Sequence, residues 1–247
     1  MVSLQMSPPA TSWRRQPVRV AVASDQQLVA EAVVAALRNR SFEPLLVRWP
    51  PTAPNPLAKA RRRRAFRRSV GPPPDVGLLL SDLSRMEQVL GAQTIVTGLP
   101  LPWLVMAGVA RGPAWGALYE GGAKLVVPSD TGLVNVCDLL TDLSAGRKPA
   151  ERRDRRELIQ GWRTFASQRS DLTARLQSLT EREEAILQQL HQGFPVRNIA
   201  QKSEVTEATV RSQVKAILKK LDVNSQMAAV AVYENVLTDS TTYADAG

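Results

Sequence analysis

The sequence predicts an α/β domain with a parallel sheet, then a long helix and an all-α domain. Over residues 17–146, short apolar β-branched runs alternate with amphipathic stretches, which is typical of parallel strands covered by helices on both faces. Residues 147–178 carry one narrow apolar stripe at helical spacing, and residues 179–237 read as a series of short capped helices. The 247 residues allow one or two domains, and a hydrophobic content of 44% is enough to bury a core.

The front domain is predicted to hold five strands and four helices. The strands cover residues 18–23, 44–49, 75–80, 103–107 and 124–127. The helices cover residues 27–38, 82–91, 114–120 and 131–145. Gly91 is expected to end the second helix, and Gly121-Gly122 the third. This alternation predicts a flavodoxin-like, doubly wound parallel sheet, in which any site lies at the carboxyl ends of the strands.

Three stretches fall outside this pattern. Residues 1–16 and 238–247 are expected to be disordered. Residues 50–74 form a Pro- and Arg-rich insertion, within which residues 59–68 carry seven basic side chains and no acid. The net charge of +9 therefore comes from this loop and the linker, and it favours an anionic partner such as nucleic acid. We predict a solvated loop, with contact to DNA or RNA as the alternative.

The composition excludes several classes of site. Cys137 is the one cysteine, so a disulfide framework within the chain and a Cys-rich zinc site are both excluded, and it is expected in the core. His191 is the one histidine and is expected to cap a helix end. We expect no metal and no cofactor. No nucleophile–base set or phosphate loop occurs, so we expect no enzyme. With no run of 18 apolar residues and no signal-peptide pattern, a cytoplasmic protein without membrane contact is expected.

Three segments of the front domain occur in a recognisable order: VASDQQLVAEAV at 22–33, PDVGLLL at 74–80 and EGGAKLVVPSD at 120–130. In this order they resemble the receiver domain of bacterial response regulators. The resemblance implies two acids after the first strand that hold Mg²⁺ and a phosphorylated Asp at the end of the third. It also implies a Thr or Ser at the end of the fourth strand and a Lys at the end of the fifth.

Most of the residues for phosphoryl chemistry are replaced in this sequence. The acid pair reads Ser24-Asp25, and the phosphoacceptor position falls on Leu80, so that Asp82 could serve only if the strand were shifted. The positions at the ends of the fourth and fifth strands read Met106 or Ala107 and Pro128. Mg²⁺ needs oxygen ligands, and a phosphoryl group needs charge neutralisation. We therefore expect a degenerate site in which Asp25 and Asp82 are turn and cap residues.

The linker is predicted to be one long helix with a narrow apolar seam. Its apolar residues recur at steps of three and four: Leu158, Trp162, Phe165, Leu172 and Leu176. Such a seam packs either on the parent domain or on a partner helix, and the sequence leaves both open. These residues, with Met227 and Val230 of the last helix, are the candidates for dimerisation.

Residues 179–233 carry the pattern that points to function. Thr180 and Glu183 predict a capping box at the start of a first helix, and Gly193 ends that helix. A second helix and a short turn follow, and Thr206 caps a third helix with a basic outer side. This arrangement predicts a helix-turn-helix unit whose last helix lies in the major groove of DNA.

The outer side of the third helix is predicted to contact duplex DNA. Arg211 and Lys215 lie one turn apart, where Arg can bind guanine O6 and N7 and Lys can reach the same edge or a phosphate. Thr206 and Thr209 lie at the helix N-terminus, where phosphate binds. The predicted DNA-binding residues are Thr206, Thr209, Arg211, Ser212, Lys215 and Lys219.

The motifs LTERE at 179–183, TEATV at 206–210 and V-x-x-I-L-x-K-L at 214–221 resemble, without a gap, the DNA-binding domain of LuxR-type regulators of the NarL/FixJ group. The resemblance implies that Arg211, Ser212 and Lys215 face the groove and that the fourth helix forms a dimer. The sequence departs from the family at Ser203-Glu204, where Leu-Gly is usual, and at Gln213, where the family has His.

Together these features predict a sequence-specific transcriptional regulator that binds promoter DNA as a homodimer without phosphorylation. Its front domain is expected to control dimerisation or to sense a small-molecule ligand. Two alternatives stay open at this point. One is a response regulator phosphorylated on Asp82, and the other is an interaction module that contacts RNA polymerase.

Overall fold

The structure, a computed structural model, describes residues 17–50, 72–147 and 154–237. The predicted disordered ends at 1–16 and 238–247 and the Arg-rich stretch at 59–68 lie outside the described residues.

The front domain is a five-stranded parallel sheet with two helices on each face. Its elements are β1 (Arg19–Ser24), α1 (Gln27–Arg38), β2 (Glu43–Val47), β3 (Val76–Ser81), α2 (Met86–Gly98), β4 (Trp103–Ala107), α3 (Pro113–Glu120), β5 (Leu125–Pro128) and α4 (Leu133–Ser144). The strand order is β2-β1-β3-β4-β5. This order belongs to the flavodoxin-like class, which confirms the predicted fold.

Alternating residues of the strands build two separate cores. One face of the sheet buries Ala21, Leu79 and Val105 against α2 and α3. The other face buries neighbours such as Val20 and Leu78 against α1 and α4. This follows from the two-residue period of a strand, and it explains why the strand sequences are apolar throughout.

Several predicted boundaries in the front domain are wrong by one or more residues, and two of the differences have a physical meaning. β3 extends one residue beyond Leu80 and ends at Ser81, which pairs with Ala107 of β4. α2 does not end at Gly91 but continues to Gly98. A Cβ atom at Gly91 would lie 2.8 Å from the indole Nε1 of Trp49, so this glycine makes room for the tryptophan and does not stop the helix.

The C-terminal half is entirely helical within the described residues. Its elements are α5 (Arg155–Gln177), α6 (Glu181–His191), α7 (Val196–Lys202), α8 (Glu207–Leu221) and α9 (Gln226–Leu237). The helices α6 to α9 share one core, which includes Leu187, Ile199, Ile217 and Ala229. The predicted long linker helix and four-helix unit are therefore confirmed.

The linker helix α5 packs within the chain at both of its ends. Its first half lies against α3, where Trp162 is 6% exposed and Leu158 and Phe165 join the front-domain core. Near its other end, Leu176 packs on the core of the C-terminal domain, while Leu172 is half-buried. Of the two possibilities that the sequence left open, the structure shows the intrachain one for these residues.

The crossing of α3 and α5 is unusually close. A Cβ atom at Gly116 would overlap the backbone carbonyl of Leu158, so only glycine fits there. Arg155 reinforces the crossing by donating to the carbonyl oxygens of Tyr119 and Ala123, both at 3.3 Å. None of the described helices is long and apolar enough to cross a membrane.

Candidate nucleic-acid interface

Helix α8 begins with a hydroxyl cap. The Oγ1 atom of Thr206 accepts a hydrogen bond from the backbone N–H of Thr209 at 3.1 Å, and the two Thr hydroxyl groups lie 2.9 Å apart. The cap satisfies one of the N–H groups that a helix start leaves without a partner. Both threonines are exposed, so the structure leaves the start of α8 accessible to an anionic partner.

The two sides of α8 differ sharply in burial. Val210, Ile217 and Leu221 are almost completely buried in the core of the domain. On the opposite side lie four exposed polar residues, which we call the outer face of α8: Arg211, Ser212, Lys215 and Lys219. The apolar stripe holds the helix on its domain, and the outer face remains in solvent.

Arg211 has one neighbour of opposite charge. Its Nη2 atom lies 3.4 Å from Oε2 of Glu207, one turn earlier in α8, and the two side chains are 71% and 46% exposed. An exposed pair at this separation contributes little to stability. Arg211 therefore keeps most of its hydrogen-bond donors available.

Lys220 has a structural role that the sequence did not reveal. Its Nζ atom donates to Oε2 of Glu183 at 2.6 Å and to the carbonyl oxygen of Ser178 at 3.1 Å. Glu183 is 8% exposed, and its carboxylate also accepts the N–H of Thr180 at 2.7 Å in the predicted capping box. The hydrogen bond from Lys220, followed by that from Thr180, lowers the pKa of Glu183.

The linker helix contacts the C-terminal end of α8. Arg175 of α5 donates to the carbonyl oxygen of Leu221 at 3.0 Å and to the carboxylate of Asp222 at 3.1 Å. Asp222 has a positive φ of 58° and ends the helix. A cation at a helix C-terminus is favourable because the last carbonyls carry partial negative charge. With Lys220, this contact fixes the direction of α8 relative to α5 and α6.

The turn before α8 contains a strained residue. Glu204 has a φ of +53°, in the left-handed region that favours glycine, and it stands where the LuxR-type motif that the sequence resembles has glycine. The backbone around it is well bonded, because Val205 donates to the carbonyl oxygen of Ala200 at 3.1 Å. The turn geometry is therefore kept in spite of the substitution.

The last helix carries apolar residues into solvent. Met227 and Leu237 are 84% and 57% exposed, while Val230 packs against the core of the domain. The one histidine, His191, ends α6 and pairs through Nε2 with Glu234 of α9. The predicted helix-end position of His191 is thus observed, and its side chain joins α6 to α9.

At the carboxyl edge of the front-domain sheet, the polar side chains pair with one another, and only Oδ1 of Asp25 is buried there without a partner among the described residues. Oδ2 of Asp25 accepts hydrogen bonds from the amide of Gln88 at 2.7 Å and the hydroxyl of Ser81 at 2.9 Å. Asp82 is exposed and accepts from the amide of Gln26 at 3.3 Å. Among the described residues, no group of three or more His, Cys, Asp or Glu side chains could hold a metal ion.

Two further front-domain residues singled out in the sequence, Pro128 and Cys137, lie away from the polar side chains at the sheet edge. Pro128, at the position where a receiver would have lysine, ends β5 and is exposed. Cys137 lies on the buried side of α4, and burial raises the pKa of its thiol. Neither residue belongs to a polar cluster.

Comparison with known proteins gives one family match and several similar proteins. Residues 177–233 match the model of a family described as bacterial regulatory proteins, luxR family. The chain is also 25% identical over 222 residues to the transcriptional regulatory protein LnrK of Bacillus subtilis (strain 168), covering 87% of this chain and 96% of LnrK.

Several solved structures are similar at lower identity. The RcsB response regulator of Salmonella typhimurium is 17% identical, with a TM-score of 0.39, covering 89% of this chain and 99% of RcsB. An RcsB–DNA complex is also 17% identical, with a TM-score of 0.37 over 89% and 99% of the two chains. Full-length FixJ of B. japonicum is 15% identical, with a TM-score of 0.38 over 91% and 99%.

Proposed function

We propose that the chain regulates transcription through residues 177–233, which match the luxR family of bacterial regulatory proteins and act as its DNA-binding domain, without phosphorylation of its front domain. The DNA it binds is duplex promoter DNA, which α8 reads in the major groove. Its place of action is the cytoplasm, where that DNA lies.

The observation that carries the proposal is the exposed basic outer face of α8. Arg211, Lys215 and Lys219 are all exposed on one side of a helix whose other side is anchored in a core. Arg211 is suited to guanine, and the lysines to guanine or phosphate. The N-terminus of α8, capped by Thr206, offers backbone N–H groups to a phosphate, and the carboxylate of Glu207 in its first turn weakens this attraction.

The independence from phosphorylation is supported by the hydrogen bonds at the sheet edge. Asp25 is the one acid retained from the receiver pattern, and Gln88 and Ser81 already donate to its Oδ2 atom. β3 ends in Leu80 and Ser81, neither of which is a carboxylate. Asp82 lies one residue beyond the strand and binds the amide of Gln26.

The DNA-binding proposal is tested with the Arg211→Ala variant of the full-length protein. If Arg211 reads a base, affinity for a site selected by the wild type falls by about 1–3 kcal/mol and the base preference at one position relaxes. The control is Arg38→Ala, which removes an equal charge from the exposed end of α1. Unchanged affinity in Arg211→Ala would contradict base reading and favour a protein partner such as RNA polymerase.

The phosphorylation proposal is tested by incubating the protein with acetyl phosphate and measuring its intact mass. We expect no adduct of about 80 Da, the mass of one phosphoryl group, because the edge lacks the charges that stabilise its transfer. Asp82→Asn serves as the control for background modification. An adduct on the wild type that is absent from Asp82→Asn, or from a parallel Asp25→Asn variant, would contradict the proposal.

We also propose that the protein binds as a homodimer through α9. The support is the exposure of Met227 and Leu237, two large apolar side chains on a helix that lies beside the DNA-binding unit. Met227→Glu is expected to shift the protein from dimer to monomer in sedimentation on a two-half-site duplex. A dimer that persists in this variant would point to another interface.

A further inference from the structure

Helix α8 begins with an acid beside the residue expected to bind guanine. Glu207 is the one acidic residue in the helix, whose sequence is EATVRSQVKAILKKL. Its carboxylate is 46% exposed and lies 3.4 Å from the guanidinium of Arg211. Glu207 therefore stays near the surface that the proposed function places against DNA.

A carboxylate in this position is unfavourable for binding to DNA in general. It adds negative charge close to the phosphates, and the attraction of a protein to any duplex depends on neutralising those charges. It is favourable only where it meets hydrogen-bond donors, because an ionised carboxylate is an acceptor only. In the major groove, the bases offer such donors as the amino groups of cytosine N4 and adenine N6.

Of these two bases, cytosine suits the carboxylate better. The adenine amino group stands beside the N7 acceptor, which would face the second carboxylate oxygen. Guanine O6 and N7 and thymine O4 are acceptors and would repel it. Glu207 thus disfavours guanine and thymine and prefers cytosine to adenine, which is how a charged group contributes to specificity.

We propose that Glu207 is a specificity-determining residue that selects cytosine one or two base steps from the guanine bound by Arg211. This inference rests on the proposed function and adds to it the base content of the half-site. Residues 207 and 211 are four apart, about 6 Å along the helix axis, and stacked bases are about 3.4 Å apart. The ion pair leaves most of the five N–H donors of Arg211 for guanine.

The inference is tested by selecting sites from a randomised duplex library with the full-length wild type, Glu207→Gln and Glu207→Ala. The wild type is expected to prefer cytosine about tenfold at one position near the guanine. In Glu207→Ala that preference is lost and the guanine is kept. In Glu207→Gln the preference shifts to adenine, because an amide can bind adenine N6 and N7 together.

The matched control is Glu204→Gln. It removes the same charge three residues earlier, from an exposed residue in the turn before α8. This variant is expected to bind nonspecific duplex more tightly, as the Glu207 variants do, but to select the same bases as the wild type. A change in base selection in Glu204→Gln would show that charge alone causes the effect, and it would overturn the role of Glu207.

Two further results would overturn the inference while leaving DNA binding intact. The first is an unchanged base selection in both Glu207 variants. The second is loss of the guanine together with the cytosine, which would mean that Glu207 only holds Arg211 in place. If the wild type itself selects no sequence, the proposed function fails instead, so the two failures are distinct.

Discussion

At the carboxyl edge of the front-domain sheet, Asp25 accepts hydrogen bonds from Gln88 and Ser81, whereas on the outer face of α8 Arg211 and Lys215 are exposed to solvent. Both regions hold polar side chains at the ends or surfaces of regular elements. In the first, the groups are paired with one another, except that Oδ1 of Asp25 is buried without a hydrogen-bond partner among the described residues. In the second, their hydrogen-bonding capacity remains largely available to a partner.

The difference shows that the fold class alone does not decide which polar groups remain available to a partner. The strand order of the front domain is that of a receiver-like sheet, but the groups at its edge now hold β3 and α2 together. What the front domain still offers is a rigid surface, to which α5 is packed. The exposed polar groups therefore lie on α8, and the front domain supplies the surface on which α5 packs.

The largest effect is expected from Gly116→Ala, which tests that supporting role. The added methyl group would overlap the backbone of Leu158, and a backbone atom cannot turn aside as a side chain can. We expect the free energy of unfolding to fall by about 2 kcal/mol or more in urea titrations. α5 should separate from α3, seen as faster amide exchange around Trp162.

The matched control for this variant is Gly161→Ala. Gly161 lies in the interior of α5, and a Cβ atom there meets no other atom within 4 Å. Because alanine is the better helix former, the free energy of unfolding of this variant should rise by about 0.5–1 kcal/mol. If both variants lost the same stability, the close crossing of α3 and α5 would not be the reason why position 116 needs glycine.

A smaller loss is expected from Lys220→Met, which tests whether the paired cation next to the outer face is structural. Lys220 donates to Glu183, a largely buried carboxylate, and methionine keeps the length of the side chain without the charge. We expect a loss of about 2 kcal/mol in the free energy of unfolding. Lys219→Met, on the exposed side, should change stability by less than about 0.5 kcal/mol.

The same pair predicts a dependence of stability on pH. The hydrogen bond from Lys220 lowers the pKa of Glu183 in the folded protein, so the unfolded chain binds a proton at a higher pH than the folded one. The stabilisation is therefore complete above the ordinary glutamate pKa and is lost as pH falls through the lowered value. When pH is lowered from neutral to acidic, the thermal unfolding temperature of Lys220→Met should therefore fall less than that of the wild type.

Much of the fold could be predicted from the sequence because its signals are local. The strands are short apolar runs, and the capping box of Thr180 and Glu183 and the cap of Thr206 are visible as residue types at fixed spacing. The extension of α2 past Gly91 could not be predicted, because the glycine is explained by Trp49, which is distant in sequence.

On α8, too, the features that depend on local spacing could be predicted and those that depend on distant contacts could not. The exposed positions of Arg211 and Lys215 follow from helical spacing alone, and the structure places them there. Lys220 and Arg175 contact partners more than thirty residues away, Glu183 and Leu221, so no periodicity could indicate their roles. The seam of α5 was ambiguous because one apolar stripe fits an intrachain partner as well as another copy of the chain.

The smallest effect is expected at Glu204, where the turn before α8 is strained. A side chain at a φ of +53° costs roughly 1–2 kcal/mol relative to ordinary backbone, and glycine adopts this region without that cost. Glycine also gives the unfolded chain more freedom, which offsets part of the gain. Glu204→Gly should therefore raise the free energy of unfolding by about 1 kcal/mol, measured by urea titration.

The Glu204→Ala variant distinguishes the effect of backbone strain on stability from the effect of the side-chain charge. Alanine removes the carboxylate but keeps the Cβ atom that causes the strain, so its stability should stay within about 0.5 kcal/mol of the wild type. If alanine stabilised the protein as much as glycine, the charge of Glu204 and not its Cβ atom would be the cause. The positive φ would then be a relaxed feature of this turn, and the strain argument would fail.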